Sequence, residues 1–264
     1  MDIYFSSSLF NKDLNKVVDF VNEMSGNLEI SRFGRLATVD NEFEDVLAYY
    51  QSVLKRLKGK LSLHSFFYDL NPASLDPKIR EFVKYRYSQA LRVAKTLNAQ
   101  TIVFHTGYNG LVKHADYHKD FFGGHMRFWS EFVPKLEEAG IVAVVENTCE
   151  DKPELLNRIV DSIGSNNLKV CIDTGHANLN SDHALEHWIN GVGSRLHHMH
   201  VHNNYGQMDE HNSILDGTVD FSSFVSILER ESLSPNLVLE IFSKEAALES
   251  YDCIKKQFEL IKSH

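Results

Sequence analysis

Six residues able to ligate a metal recur at matching points along the chain: His64, His105, Glu146, Asp173, His200 and Glu240. Each stands near the end of a short apolar, β-branched run, namely KLSLHS, TIVFHT, IVAVVEN, KVCIDT, HHMHVHN and LVLEIF. Taken singly, a strand-end Glu is a salt-bridge partner and a lone His a hydrogen-bonded core residue. The set reads differently. The chain holds 14 His and 36 acidic residues in 264, so placing one of them at the same phase of six successive runs is well above chance. Three carboxylates converging with several imidazoles need a cation between them. Imidazole and carboxylate together suit zinc or manganese, so a divalent-metal site of one to three ions is expected. Three further candidates follow these runs: His176 in IDTGHAN, and Asp209 and His211 in MDEHNS. In HHMHVHN, His198, His200 and His202 share one strand face while His197 takes the other. Of these only His200 matches the depth of the remaining candidates. His114, His118, His125, His183, His187 and His264 read as surface or helix residues without a role.

The elements that must carry these residues alternate. Strand-like runs cover 2–7, 27–31, 60–65, 101–106, 141–147, 169–174, 197–203 and 237–242. Amphipathic helical patterns cover 11–25, 42–57, 77–97, 128–139, 153–163, 182–190, 221–231 and 245–261. Strands separated by helices, without hairpin-length loops, form a parallel sheet. Eight such units predict an α/β fold, a (β/α)8 TIM barrel, with residues 1–264 as one domain. The alternative is an open doubly wound sheet. For dinucleotide binding it would carry a Gly-rich turn after its first strand, where this chain has SSSLFNK. In a barrel, strand ends of one polarity meet at one mouth, which is where active sites are built. Glu29, at the end of the second run, reads as an inner-barrel support without a ligand role.

Composition sets the outer limits. The chain is 43% hydrophobic and 24% charged, as ordinary globular proteins are. A formal charge of −9 argues against bulk binding of nucleic acid or anionic membrane and favours a small-molecule partner. Cys149, Cys171 and Cys253 are few and far apart and imply no disulfide framework. The N-terminus MDIYFSSSLFNKD lacks the basic start of a signal peptide, and no apolar run reaches the ~18 residues of a membrane span. A cytoplasmic location is expected.

These motifs resemble the xylose isomerase-like TIM-barrel superfamily, which includes endonuclease IV and the sugar-phosphate isomerases and epimerases. The resemblance covers nearly the whole chain and rests on FHTGYN, VVENTCE, VCIDTGHAN, MHVHNN, MDEHN with LDGTVDF, and LEIF. The isomerase and epimerase branch implies one divalent ion on Glu146, Asp173, His200 and Glu240. There the two Glu exchange a proton with the substrate carbon, and His176 helps to hold the sugar. The endonuclease IV branch implies three zinc ions on His64, His105, Glu146, Asp173, His176, His200, Asp209, His211 and Glu240. This chain departs from that branch. It has Asp209-Glu210-His211 in place of Asp-Arg-His, and Thr106-Gly107 in place of Pro-Gly after the fourth-strand His. It also lacks basic, aromatic-tipped loops for a DNA groove.

Two reactions therefore compete. Isomerisation or epimerisation needs one metal and a carboxylate beside the substrate carbonyl. Phosphoester or phosphodiester hydrolysis uses two or three metals and would employ His64, His105, Asp209 and His211 as well. With all nine ligand types present, the sequence places hydrolysis of a small phosphorylated, nucleotide- or sugar-containing substrate first. Isomerisation or epimerisation is the alternative, and DNA-directed cleavage comes third.

Overall fold

The computed structural model describes residues 1–114 and 116–262; His264 lies outside them. Eight strands form: β1 (Ile3–Ser6), β2 (Asn27–Ile30), β3 (Leu61–His64), β4 (Thr101–His105), β5 (Val142–Glu146), β6 (Leu168–Asp173), β7 (Leu196–Val201) and β8 (Asn236–Leu239). They pair in chain order, all in parallel, and β1 closes on β8. The fold is thus a (β/α)8 TIM barrel. One antiparallel bridge, Asn203 with Asn212, lies in the loop after β7 and outside the barrel wall. Among the described residues, no helix is long and apolar enough to cross a membrane.

The helices are α1 (Leu14–Glu23), α2 (Leu36–Asp40), α3 (Phe43–Leu54), α4 (Pro77–Leu97), α5 (Tyr117–Ala139), α6 (Glu154–Ile163), α7 (Thr174–Asn180), α8 (Leu185–Val192), α9 (Phe224–Arg230) and α10 (Lys244–Lys262). Ends follow local chemistry. Asp13 caps α1 by accepting from Asn15 and Lys16 backbone N–H groups, and Asp76 caps α4, with Pro77 at the first turn. The expected helix over 128–139 is longer than its pattern suggests. Gly123 and Gly124 look like breakers, yet α5 runs through them. A Cβ on Gly124 would sit 2.5 Å from Ala73 Cα, so the glycine admits close packing of the loop before α4. The extra helix α7 starts because Asp173, the last residue of β6, is also its cap: its Oδ1 accepts the His176 N–H at 2.7 Å.

Two apolar regions hold the barrel. The larger lies between strands and helices and includes Leu28, Leu63, Phe104, Val145, Trp129 and Trp188. Inside the barrel, Val103, Val144 and Cys171 form a small separate cluster. On the same three strands, two residues further along, stand His105, Glu146 and Asp173. Side chains two apart share a face, so the apolar cluster floors the polar layer. The alternation is disturbed at the start of β7, where the β6–β7 register shifts between Val170 and Cys171. There His197 Nε2 lies 3.3 Å from Thr101 Oγ1 of β4, a strand that is not a neighbour of β7.

Candidate metal centre

His64, His105, Glu146 and Asp173 are the last residues of β3 to β6, His200 is the last but one of β7, and Glu240 follows β8 directly. Closure of the barrel brings all six to one mouth. His200 is fully buried. Its Nδ1 lies 3.0 Å from Glu146 Oε1, 3.2 Å from Glu240 Oε2 and 3.6 Å from Asp173 Oδ2. Asn147 fixes the adjoining backbone, donating to Asp173 O at 3.0 Å and accepting from Asp173 N at 2.8 Å.

Two further groups flank this cluster. On one side, Glu146 Oε2 lies 3.1 Å from His105 Nε2 and 3.4 Å from His64 Nε2, and the two imidazole nitrogens are 3.3 Å apart. On the other, Asp209 Oδ2 lies 3.4 Å from His176 Nε2 and 3.1 Å from His211 Nε2. His176 also leans on the centre, with Nδ1 3.5 Å from Glu146 Oε1. All nine sequence candidates therefore converge, as three groups that share Glu146 and His176.

The ring nitrogens show that a cation fits here. His64 Nδ1 is 3.0 Å from Ser65 O, His176 Nδ1 is 3.0 Å from Asn147 O, and His211 Nδ1 is 2.7 Å from Glu240 O. A carbonyl oxygen only accepts, so each Nδ1 must donate, and the neutral ring then presents a bare Nε2. Each bare nitrogen faces a carboxylate oxygen. Glu146 Oε2, meanwhile, is buried with no hydrogen-bond partner. Such lone-pair-to-lone-pair contacts need a second proton on the ring or a metal between the atoms.

Electrostatics agree. Burial alone would lower the His200 imidazolium, but Glu240, Glu146 and Glu29 hold it well above its ordinary range. Burial likewise works against ionised Glu146 and Asp173. The charges of His200 and His105 on the former, and of His176 and His202 on the latter, keep both carboxyls well below the usual range. His211 is lowered by burial but pushed up overall to about 9 by its Asp209 hydrogen bond and the Glu240 charge. His105 is the exception, where burial outweighs Glu146 and the value falls.

Beneath the centre, Glu29 accepts from Ser62 Oγ at 2.8 Å and meets His198 Nε2 at 2.9 Å. Its other oxygen is 2.9 Å from His200 Nε2, a close charge contact. The inner-barrel support expected of Glu29 is thus a carboxylate under His200. The sequence reading gave His202 no role. It is fully buried, its Nε2 lies 3.0 Å from Asp173 Oδ1, and its ring stacks on His211 with centroids 4.1 Å apart. The signal was present in the i, i+2, i+4 spacing of His198, His200 and His202. His125, read as a helix residue, is buried in α5, where it takes the Trp129 indole N–H at 3.1 Å.

The chain and its fold have relatives. An uncharacterised protein of Methanocaldococcus jannaschii, MJ1311, is 27% identical over 222 residues, spanning 81% of this chain and 75% of its own length. A solved D-tagatose 3-epimerase-like protein superposes with a TM-score of 0.82 at 23% identity, covering 100% of this chain and 99% of that one. D-psicose 3-epimerase, solved in the presence of D-fructose, gives a TM-score of 0.73 at 14% identity, covering 97% of both chains. At these identities the solved structures speak for the fold. Residues 31–258 match the xylose isomerase-like TIM barrel family, and the chain belongs to it.

Proposed function

We propose that this chain, acting as one domain, is a divalent-metal-dependent isomerase or epimerase of a small sugar. The carrying observation is the meeting of Glu146 and Glu240, from β5 and just beyond β8, at His200 Nδ1 with Asp173 alongside. This reverses the order favoured by the sequence, in which hydrolysis came first. The likeness to sugar epimerase folds supports the isomerase side of that choice.

Glu146, Asp173, His200 and Glu240 would hold the ion, and zinc or manganese suits this donor set. When bound, the ion polarises the substrate carbonyl and its neighbouring hydroxyl. One Glu takes the proton from the carbon beside that carbonyl, and the other returns a proton from the opposite side. Glu240, 17% exposed against 1% for Glu146, is the better placed to meet substrate first. His176, 18% exposed, directs Nε2 at Asp209 near the mouth and is positioned to hold a sugar hydroxyl. Glu29 keeps a negative charge under His200, which favours presentation of Nδ1 to the carboxylates.

A second reading has its own observation. The bare Nε2 atoms of His64, His176 and His211 against carboxylates extend the ligand set to nine, which suits a multinuclear phosphoester hydrolase. Metal analysis of tag-free protein by mass spectrometry, after zinc and manganese loading, separates the two. The isomerase reading expects one tight equivalent that survives His105→Ala. Three equivalents, falling in His105→Ala together with cleavage of bis-(p-nitrophenyl) phosphate, would overturn it.

A further inference from the structure

The metal-centre candidates come from β3 to β8 and the loops that follow them; β1 and β2 supply none. At the same mouth, the loops after β1 and β2 enclose a cavity of about 150 Å³ lined by Ser7, Lys12, Ser31, Arg32 and Arg35, with Tyr49 and Tyr50 of α3 as walls. Three cations converge there in a chain of net charge −9. Arg32 is balanced by Glu42 at 2.8 Å. Among the described residues, Lys12 and Arg35 make neither an ion pair nor a side-chain hydrogen bond. Slight desolvation, then the Arg35 and Arg32 charges, keep the exposed Lys12 ammonium below its ordinary range. Phe10, Asn11 and Lys12 have φ of 52°, 52° and 67°, so three consecutive residues other than glycine take the left-handed conformation that places Lys12. The Ser7 hydroxyl accepts from Ser31 N at 3.0 Å and meets Ser31 Oγ at 3.4 Å, which ties the two loops together.

We propose that this cavity binds the phosphate group of a phosphorylated sugar, which the neighbouring metal centre then isomerises or epimerises; the second half rests on the function proposed above. The chemistry is that of a phosphate monoester dianion. Arg guanidinium and Lys ammonium groups supply charge-assisted donors, and serine hydroxyls complete such a site. The volume is below the ~300–1,000 Å³ of pockets that enclose a whole drug-sized ligand, so a terminal group fits and a complete substrate does not. Barrels often hold phosphate in the loops after the seventh and eighth strands. Here the loop after β7 carries Asp209, Glu210, Asp216 and Asp220 with no Lys or Arg between 202 and 223, and would repel a dianion.

The test uses metal-loaded, tag-free, full-length protein, with inorganic phosphate as the first probe in calorimetry. D-fructose 6-phosphate and D-fructose are the second pair, followed by NMR for isotope exchange in D2O. Lys12→Gln and Arg35→Gln should each weaken phosphate binding about tenfold, the loss of one charge-assisted contact. Both should keep wild-type metal content, which shows that the fold and centre survive. They should raise KM for the phosphorylated sugar and leave the free sugar unaffected. Equal phosphate affinity in the wild type and both folded variants, or no phosphate binding at all, overturns the cavity assignment, even if D-fructose is turned over. Weakened phosphate binding without exchange on either sugar, or on any further ketose or ketose phosphate, upholds the cavity and sinks the isomerase reading.

Discussion

Gly175, the second residue of α7, packs directly on the His202 ring beside the centre. A Cβ there would lie 2.0 Å from His202 Cε1 and 2.6 Å from its Nδ1. An ordinary contact needs at least 3.4 Å, so in Gly175→Ala the ring must retreat by about 1.4 Å. The ring has little room to do so, being fully buried and stacked on His211 at 4.1 Å. Moving it stretches the 3.0 Å contact with Asp173. Two effects oppose each other. Alanine in a helix gains about 1 kcal/mol over glycine, and Gly175 has no left-handed φ to prevent that gain. Overpacking costs about 1–3 kcal/mol, and losing a hydrogen bond to a charged group a further ~1.5–3 kcal/mol. The net expectation is a destabilisation of about 2–4 kcal/mol, or a fall in Tm on the order of 5–12 °C for a chain of this size. Urea and thermal unfolding followed by circular dichroism read it. A double variant, Gly175→Ala with His202→Ala, should recover much of the loss, because the clash is then absent. Gly175→Ala as stable as wild type, or a double variant no better than the sum of its singles, would refute the reasoning.

Other expectations follow from the same geometry. Glu29→Gln keeps the Ser62 contact but removes the charge beneath His200, and metal affinity measured by competition with a chelator should fall about 10–100-fold; unchanged affinity would confine Glu29 to packing. His125 is held neutral, giving its Nε2 hydrogen to Thr106 O at 3.1 Å while accepting from Trp129, and burial lowers its pKa to about 3. Its unfolded form takes up a proton near 6.5, so the unfolded state binds more protons below that pH and stability falls on acidification toward 3. Relative to His125→Gln, wild-type protein should lose up to ~1.4 kcal/mol per pH unit over that window, and parallel stability curves would contradict this. Glu240→Gln should remain folded and lose turnover, since barrel stability resides mainly away from the catalytic face; retained activity would remove Glu240 from the mechanism.

The barrel was legible because each strand is buried on both faces and so reads as an apolar run such as IVF or VAVV, set off by helical periods. The polar strand ends interrupt those runs at one phase, which made His64, His105, Glu146, Asp173, His200 and Glu240 visible together. What sequence periodicity hides is contact across the barrel. Glu29 and His198 are 169 residues apart, yet they meet beneath the centre. His202 looked too far along its strand to take part, because nothing local tells that Gly175 opens space for its ring. The start of α5 was obscured by Gly123 and Gly124, yet the helix runs through both, and Gly124 serves close packing on Ala73 instead of ending it. The cationic cavity was missed because Lys12 lies on the loop after β1 and Arg32 and Arg35 on the loop after β2, and only the neighbouring positions of β1 and β2 join the two loops.

The central claim is that a metal held by Glu146, Asp173, His200 and Glu240 serves proton transfer at a sugar carbon. Its most direct test is hydrogen–deuterium exchange at carbon, followed by NMR, with manganese- or zinc-loaded protein and a panel of ketoses and ketose phosphates in D2O. The account predicts deuterium at the carbon beside the carbonyl of at least one sugar. That signal should be abolished by chelation and by Glu240→Gln, while Glu240→Gln keeps the wild-type circular dichroism spectrum. Hydrolysis of bis-(p-nitrophenyl) phosphate by protein carrying three metals, with no carbon exchange on any sugar in the panel, would contradict it.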